Sequence, residues 1–278
     1  CTFCGEAPLM EKNGIYGRKY FRKRSIESLI KELHWACTTF PFIGEICFCD
    51  DTFASRPLSE IQEFSKQYKE KICKPFYILI SPANVDKQKM DILVNAGLTN
   101  VGMGIQTGSQ RTISLYKREK AGSVERILNA VNILNSYKDR LMPYYDFIVE
   151  NPYETNEDRL DTIRLLIKLP QPCRIRVYAM SFFPGTELYK RAKIDGIIND
   201  IGREKTFGQR NQGGYLNFVI DMSKYVILFN LPKSIIKLLI SKPFLFLLGK
   251  PFMDLTILRA HTLLKRLKFK FGYHEGLS

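Results

Sequence analysis

Residues 58–80 read LSEIQEFSKQYKEKICKPFYILI. In the first part, Leu58, Ile61 and Phe64 recur at helical spacing, among charged residues that would face water. In the last part, Phe76 to Ile80 form an unbroken apolar run, the pattern of a strand in a parallel sheet buried on both faces. The couplet repeats. Further β-rich runs are EICFC (45–49), VGMGI (101–105), YDFIV (145–149) and RIRVYAM (174–180), and the helical runs SIESLIKELHWAC, VERILNAVNILNSY and TNEDRLDTIRLLIKL lie between them. Ser25 reads as an N-cap with Ser28 where a capping box would place Glu, and Thr155 as an N-cap with Asp158 three residues on. Strands alternating with helices predict right-handed βαβ units, hence an α/β fold around a parallel sheet.

The 278 residues carry 45% hydrophobic and 25% charged side chains, an ordinary globular balance that excludes a disordered chain. The net charge of +14 points to an anionic partner: nucleic acid, a membrane surface or an acidic substrate. Seven cysteines are too few for a disulfide scaffold, and their odd number argues for a reducing, cytoplasmic compartment. From about residue 196 the pattern changes to an apolar, basic tail broken by Pro232, Pro243 and Pro251. Its apolar stretches are too short to span a bilayer. It is read as a helical extension over 196–278 packed on a core of 1–195, with peripheral membrane contact as the alternative.

The chain opens CTFCGEAPLM. A CxxC pair is half a zinc site, a redox dithiol or part of an iron–sulfur ligand set. Zinc needs two more ligands, and His34, His261 and His274 are isolated. A redox dithiol normally opens a helix, whereas the residues after Cys4 read as a loop. Iron–sulfur ligation is the reading that remains. Cys37, Cys47, Cys49 and Cys73 are expected to be small buried hydrophobes. His34 and Trp35 are expected to pack, and the basic run Arg18, Lys19, Arg22, Lys23, Arg24 to be a solvated loop.

Ordered stretches then carry a resemblance. CTFC, YGRKYFRKRSIESLIKEL (16–33), CFCDDTFA (47–54), VGMGIQTGSQR (101–111), YDFIVENPYETNED (145–158) and SFFPGTELY (181–189) resemble signatures of the radical S-adenosylmethionine (radical SAM) superfamily. The resemblance is to its cobalamin-domain-bearing branch, which includes the anaerobic magnesium-protoporphyrin monomethyl ester oxidative cyclase and many methyltransferases. It implies a partial (β/α)6 TIM-like barrel lacking its first strand, in a fragment of a longer protein. It implies that Cys1 and Cys4 hold iron of a 4Fe–4S cluster, with Phe3 the aromatic before the last cysteine and the first cysteine four residues upstream. It implies that Asp50 or Asp51, at a strand's C-terminal end, pairs with the ammonium of SAM. Gly104, Gln106 and Ser109 are expected at its ribose or carboxylate, and Asn151 along its adenine. Arg174 and Arg176 share a strand face, so one of them is expected at the substrate or the carboxylate. No residue is assigned a catalytic role.

The implied chemistry is reductive cleavage of SAM to a 5′-deoxyadenosyl radical, with cobalamin held by a separate N-terminal domain, for methyl transfer or oxidative cyclisation. Partners would be a small-molecule or lipid-like substrate and an electron donor such as flavodoxin or ferredoxin. The rival readings are an RNA-modifying methylthiotransferase type, which the charge favours, and a non-catalytic metal-binding or membrane-associated module.

Overall fold

The computed structural model describes residues 1–14, 23–198 and 214–249. Five strands, β1 (Ile46–Phe48), β2 (Phe76–Ile80), β3 (Leu98–Gln106), β4 (Met142–Val149) and β5 (Arg174–Ala179), form one all-parallel sheet in sequence order. Each sits on a predicted run. Helices α1 (Glu6–Lys12) and α2 (Ile26–Thr39) precede β1; α3 (Leu58–Lys71) and α4 (Lys87–Ala96) link β1 to β2 and β2 to β3. Three helices, α5 (Gln110–Leu115), α6 (Glu119–Gly122) and α7 (Val124–Asn135), lead to β4, and α8 (Asn156–Lys168) leads to β5. After β5 come α9 (Glu187–Ile194), α10 (Tyr215–Leu228), α11 (Ser234–Leu239) and α12 (Lys242–Leu248). Among the described residues, no helix is long and apolar enough to cross a membrane.

Local chemistry sets these boundaries. The Ser25 hydroxyl accepts from the Ser28 amide, and Asp86 Oδ1 accepts from Lys89 N at 2.9 Å, each satisfying a donor the helix start leaves free. The pairing expected at Thr155 is a complete capping box, with Asp158 Oδ2 taking the Thr155 amide at 2.7 Å. The outer face of the sheet packs on the helices through one aromatic cluster. Phe48, Phe53, Phe64, Tyr68 and Phe76 hold ring centroids 4.8–6.3 Å apart. Phe64 is fully buried there, and its truncation to Ala would cost roughly 3–5 kcal/mol. α10 joins the same core through Tyr215, Val219 and Ile220.

Burial of both strand faces is corrected. β4 alternates half-buried and buried residues along its length, with Tyr144, Asp146 and Ile148 on the less buried inner face. There Arg176 Nε donates to Asp146 Oδ1 at 2.6 Å, its Nη2 donates to Tyr77 Oη at 3.1 Å, and its guanidinium lies 5.3 Å from the Tyr144 ring. Burial pushes the Asp146 carboxyl up; the guanidinium opposes that. Arg176 is thus spent on the protein, while Arg174 is exposed with its guanidinium 5.8 Å from the Tyr144 ring. The cysteine expectation is corrected too: Cys47, Cys49 and Cys73 are exposed and Cys37 half-buried. Cys47, in β1, and Cys49, just past its end, bring their Sγ atoms 3.9 Å apart, and burial and the neighbouring thiol push Cys47 up to about 11. Trp35 is 60% exposed, so it does not pack as expected. Arg18, Lys19, Arg22 and residues 250–278 of the tail lie outside the described residues.

A buried polar network fixes the C-terminal ends of β3 and β4 relative to each other. Gly108 approaches α8 so closely that a Cβ there would stand 2.7 Å from the Asp161 carbonyl oxygen, and its amide donates to Thr162 Oγ1 at 2.9 Å. Ser109 Oγ donates to Asp158 Oδ1 at 2.5 Å, and Arg111 Nε donates to both Asp158 oxygens at 3.1 and 3.0 Å. Burial raises the Asp158 carboxyl, but these donors and Thr155 outweigh it and hold the group below the usual carboxylate range. Beside it Glu154 takes a 3.4 Å hydrogen bond from Thr107, is 8% exposed, and is pushed by burial up to about 7.

The two carboxylates give opposite pH dependence. Asp158 contributes stability above its unfolded pKa and loses it in acid. Glu154, raised when folded, costs nothing below about pH 4.5; its penalty grows between there and about pH 7 and is then complete, roughly 3 kcal/mol. Glu154→Gln is expected to flatten the fall in stability between pH 5 and 7.5. Urea unfolding at both values checks this, and an unchanged slope would refute the buried charge.

Candidate functional site

The opening cysteines sit on a short loop fastened at both ends. Thr2, nearly fully buried, donates from its amide to the Tyr116 carbonyl at 3.1 Å and from Oγ1 to the Leu115 carbonyl at 3.0 Å. Its own carbonyl accepts the Leu188 amide of α9 at 2.9 Å. Phe3 meets Tyr116 edge to face, centroids 4.7 Å apart. The aromatic of CTFC therefore anchors the loop in the core and leaves Cys1 exposed and Cys4 half-buried. Cys1, Cys4, Pro8, Glu11, Lys117 and Glu187 wall a cavity of about 330 Å³. Gly185 and Thr186 line it too; Gly185 has φ +88° and a Cβ there would stand 3.0 Å from Pro8.

The loop expected after Cys4 is instead α1, which begins two residues on. Pro8 falls in its first turn, where a missing N–H costs no hydrogen bond. A helix directly after CxxC is also the setting of a redox dithiol.

The other expected residues gather at the C-terminal ends of the strands. Asp50 and Asp51 follow β1, both exposed. Asp50 accepts from Arg56 Nη2 at 3.3 Å. Asp51 is raised by burial and by its acidic neighbours Glu6 and Asp50, so that edge of the site is electronegative. Gln106 ends β3 at φ +72°, where the register with β4 shifts. Its amide folds back over Gly104 into the space a Cβ would fill, 2.4 Å from that position. Ser109 caps α5 and is fully engaged, donating to Asp158 and accepting from the Thr112 amide. Asn151 is wholly buried, donating to Tyr116 Oη at 2.9 Å and accepting from the Tyr153 amide at 3.0 Å. Ser109 and Asn151 thus brace the site's wall through protein groups.

Sequence reasoning missed Tyr116 and Arg118. Tyr116 joins the cysteine loop to Asn151. Arg118 donates from Nη2 to the Gly104 carbonyl at 3.0 Å, its one side-chain hydrogen bond among the described residues. Burial pushes its guanidinium down, and the Cys4 thiol beside it opposes that. A largely buried cation with no carboxylate partner in hydrogen-bonding range, its charge felt by the Cys4 thiol, is set to receive an anion. In the sequence it lies in the charged run KREK, which reads as surface.

The two thiols fit part of an iron–sulfur ligand set: free, accessible, and beside a cation. Among the described residues, no cluster of three His, Cys, Asp or Glu side chains stands ready for a metal.

The profile of the radical SAM superfamily matches residues 1–166. Similar solved structures include the radical S-adenosylmethionine methyltransferase TsrM from Kitasatospora setae with cobalamin and a [4Fe-4S] cluster bound, at 16% identity and TM-score 0.51, covering 62% of this chain and 32% of that one. The cobalamin-dependent S-adenosylmethionine radical enzyme OxsB is similar at 11% identity and TM-score 0.52, covering 72% and 36%. At such identities the likeness shows the fold alone, and the chain spans about a third of either protein. No curated protein matches it. With a profile match over more than half its length and the partial-barrel fold, this chain belongs to the radical SAM superfamily.

Proposed function

We propose that Cys1 and Cys4 hold two irons of a 4Fe–4S cluster, with the third thiolate from a cysteine four residues ahead of Cys1, and that the strand ends hold S-adenosylmethionine against it. The observation that carries this reading is the cavity walled by both thiols, together with the largely buried Arg118 guanidinium, which lacks a carboxylate partner and interacts electrostatically with Cys4. When bound, the cluster supplies the electron that splits the sulfonium of SAM into methionine and a 5′-deoxyadenosyl radical. The chain's residues do the positioning. Arg118 takes the carboxylate of SAM, and Asp51 takes its ammonium at the electronegative edge after β1. Gln106 and the Gly104 backbone line the path between them. Phe3 and Tyr116 hold the cysteine loop and help exclude water from its inner side.

The finer reading is that the whole protein uses cobalamin, held by a separate domain, for methyl transfer or oxidative cyclisation. It is favoured by TsrM being a cobalamin-bound methyltransferase and OxsB a cobalamin-dependent enzyme. A corrinoid copurifying with the full-length protein is expected; its absence after anaerobic growth with cobalamin would remove this part alone.

Two experiments test the site. The full-length protein, reconstituted without oxygen with iron and sulfide, is expected to bind about four irons, absorb near 400 nm and release 5′-deoxyadenosine on reduction with SAM. Cys4→Ser should abolish all three. A colourless zinc protein, or one yielding only a Cys1–Cys4 disulfide, would sink the proposal. In the second, Arg118→Ala should leave cluster absorbance intact yet weaken SAM binding roughly 10- to 100-fold, the worth of a hydrogen bond to a charged group. Equal affinity would remove Arg118 from the site.

A further inference from the structure

The end of the sheet opposite the candidate site carries an exposed apolar and basic surface. Trp35, in the last turn of α2, is 60% exposed, and Phe42, just before β1, is 85% exposed. Phe40 meets Trp35 edge to face and Phe42 at a tilt on the surface, centroids 6.0 and 5.9 Å apart. The end of α10 and the helices after it are fixed to the same end. Gln171, in the loop leading into β5, donates to the Ile227 carbonyl at 3.2 Å. Lys233 Nζ donates to the carbonyl of Ile167 at 3.1 Å, near the C-terminus of α8. From there Phe229, Leu238, Phe246 and Leu247 are 58, 55, 68 and 61% exposed. α12, KPFLFLL, has no buried residue although five of its seven side chains are Phe or Leu.

The charge of this end has one dominant sign. Between Asp221 and Asp254 the sequence has no acidic residue. Lys237 and Lys242 flank the exposed apolar side chains. Lys69, Lys71, Lys138 and Lys168, at the helix ends that lead into β2, β4 and β5, outnumber Glu45, Glu70 and Asp139 beside them. Two exposed apolar clusters, one at each edge of the sheet and both with lysines nearby, are costly in water. They suit the headgroup boundary of a membrane, where Phe, Leu and Trp bury and lysine meets anionic lipid.

We propose that this end of the molecule, the edge of α2 together with α11 and α12, rests on an anionic bilayer surface. The strand C-termini, with Cys1, Cys4 and Arg118, then face away from the lipid. The proposal does not depend on the chemistry at that site.

Trp35 is the sole tryptophan, so its emission reports on one edge while substitutions probe the other. The 278-residue chain is mixed with vesicles of phosphatidylcholine, with or without phosphatidylserine. Cosedimentation with the anionic vesicles is expected to exceed that with the neutral ones about tenfold at low salt, to fall with added KCl, and to shift Trp35 emission to the blue. Phe246→Glu with Leu247→Glu, and separately Lys237→Glu with Lys242→Glu, should each cut binding about tenfold with an unchanged circular dichroism spectrum. Equal binding to both vesicle types, binding that survives both double variants, or binding without a Trp35 shift would overturn it. So would self-association in sedimentation velocity that Phe246→Glu with Leu247→Glu abolishes while no vesicle binds, because a second copy would then cover the patch.

Discussion

The carboxylate of Asp158 is the tie on which the site's geometry depends. It takes hydrogen bonds from Ser109 at the start of α5, from Thr155 at the start of its own helix, and from Arg111. Those donors come from the segments that follow β3 and β4, so one buried anion sets the spacing between two strand ends. Everything the cysteine loop leans on is then indirect. Tyr116 ends the helix that Ser109 caps, Thr2 and Phe3 rest on Tyr116, and Asn151 steadies its hydroxyl. Leaving a buried carboxylate with fewer donors is expensive, which makes this arrangement hard to loosen locally.

Much of the fold was legible because its signals are local. FYILI and LSEIQEFSKQYKEK announce a strand and a helix by period and length, and the observed bounds follow them. The caps at Ser25 and Thr155 sit where short polar side chains precede apolar runs. What the sequence hid is tertiary. The inner face of β4 is Tyr144, Asp146 and Ile148, and alternation over so few residues is masked by apolar neighbours that face the helices. Cys47 and Cys49 look like packing residues in the sequence, and only the folded chain shows both exposed. Pro8 suggested a loop because proline breaks helix interiors, but in a first turn it does not.

At the site, motif and role separate. Asp50 and Asp51 stand after β1 as a strand-end position predicts, and Cys1 and Cys4 line a cavity. Ser109 and Asn151 fall in the right segments, yet their hydrogen-bonding groups are occupied by Asp158, Thr112, Tyr116 and Tyr153. A signature residue can therefore serve a site by bracing it. Arg118 shows the converse: nothing in its local sequence marks it, because what distinguishes it is burial beside Cys4 and the absence of a carboxylate, both products of the whole fold.

The candidate site also carries charges of both signs. Glu6 and Asp50 lie near Asp51, which burial and then these neighbours raise, while Arg118 interacts with Cys4; in the cavity wall Lys117 is paired with Glu187 at 2.7 Å, beside Glu11 and Lys190. Separated charges of this kind oppose an ion of either sign alone. A ligand that carries an ammonium and a carboxylate on one carbon, like the methionyl end of the sulfonium cosubstrate, relieves both at once. Burying the guanidinium and crowding the carboxylates cost folding energy, which a bound charge of opposite sign would offset. The same reasoning explains why Arg176 is different: paired with Asp146 and Tyr77 inside the barrel, its charge is already answered, and it shapes the cavity without asking for a ligand.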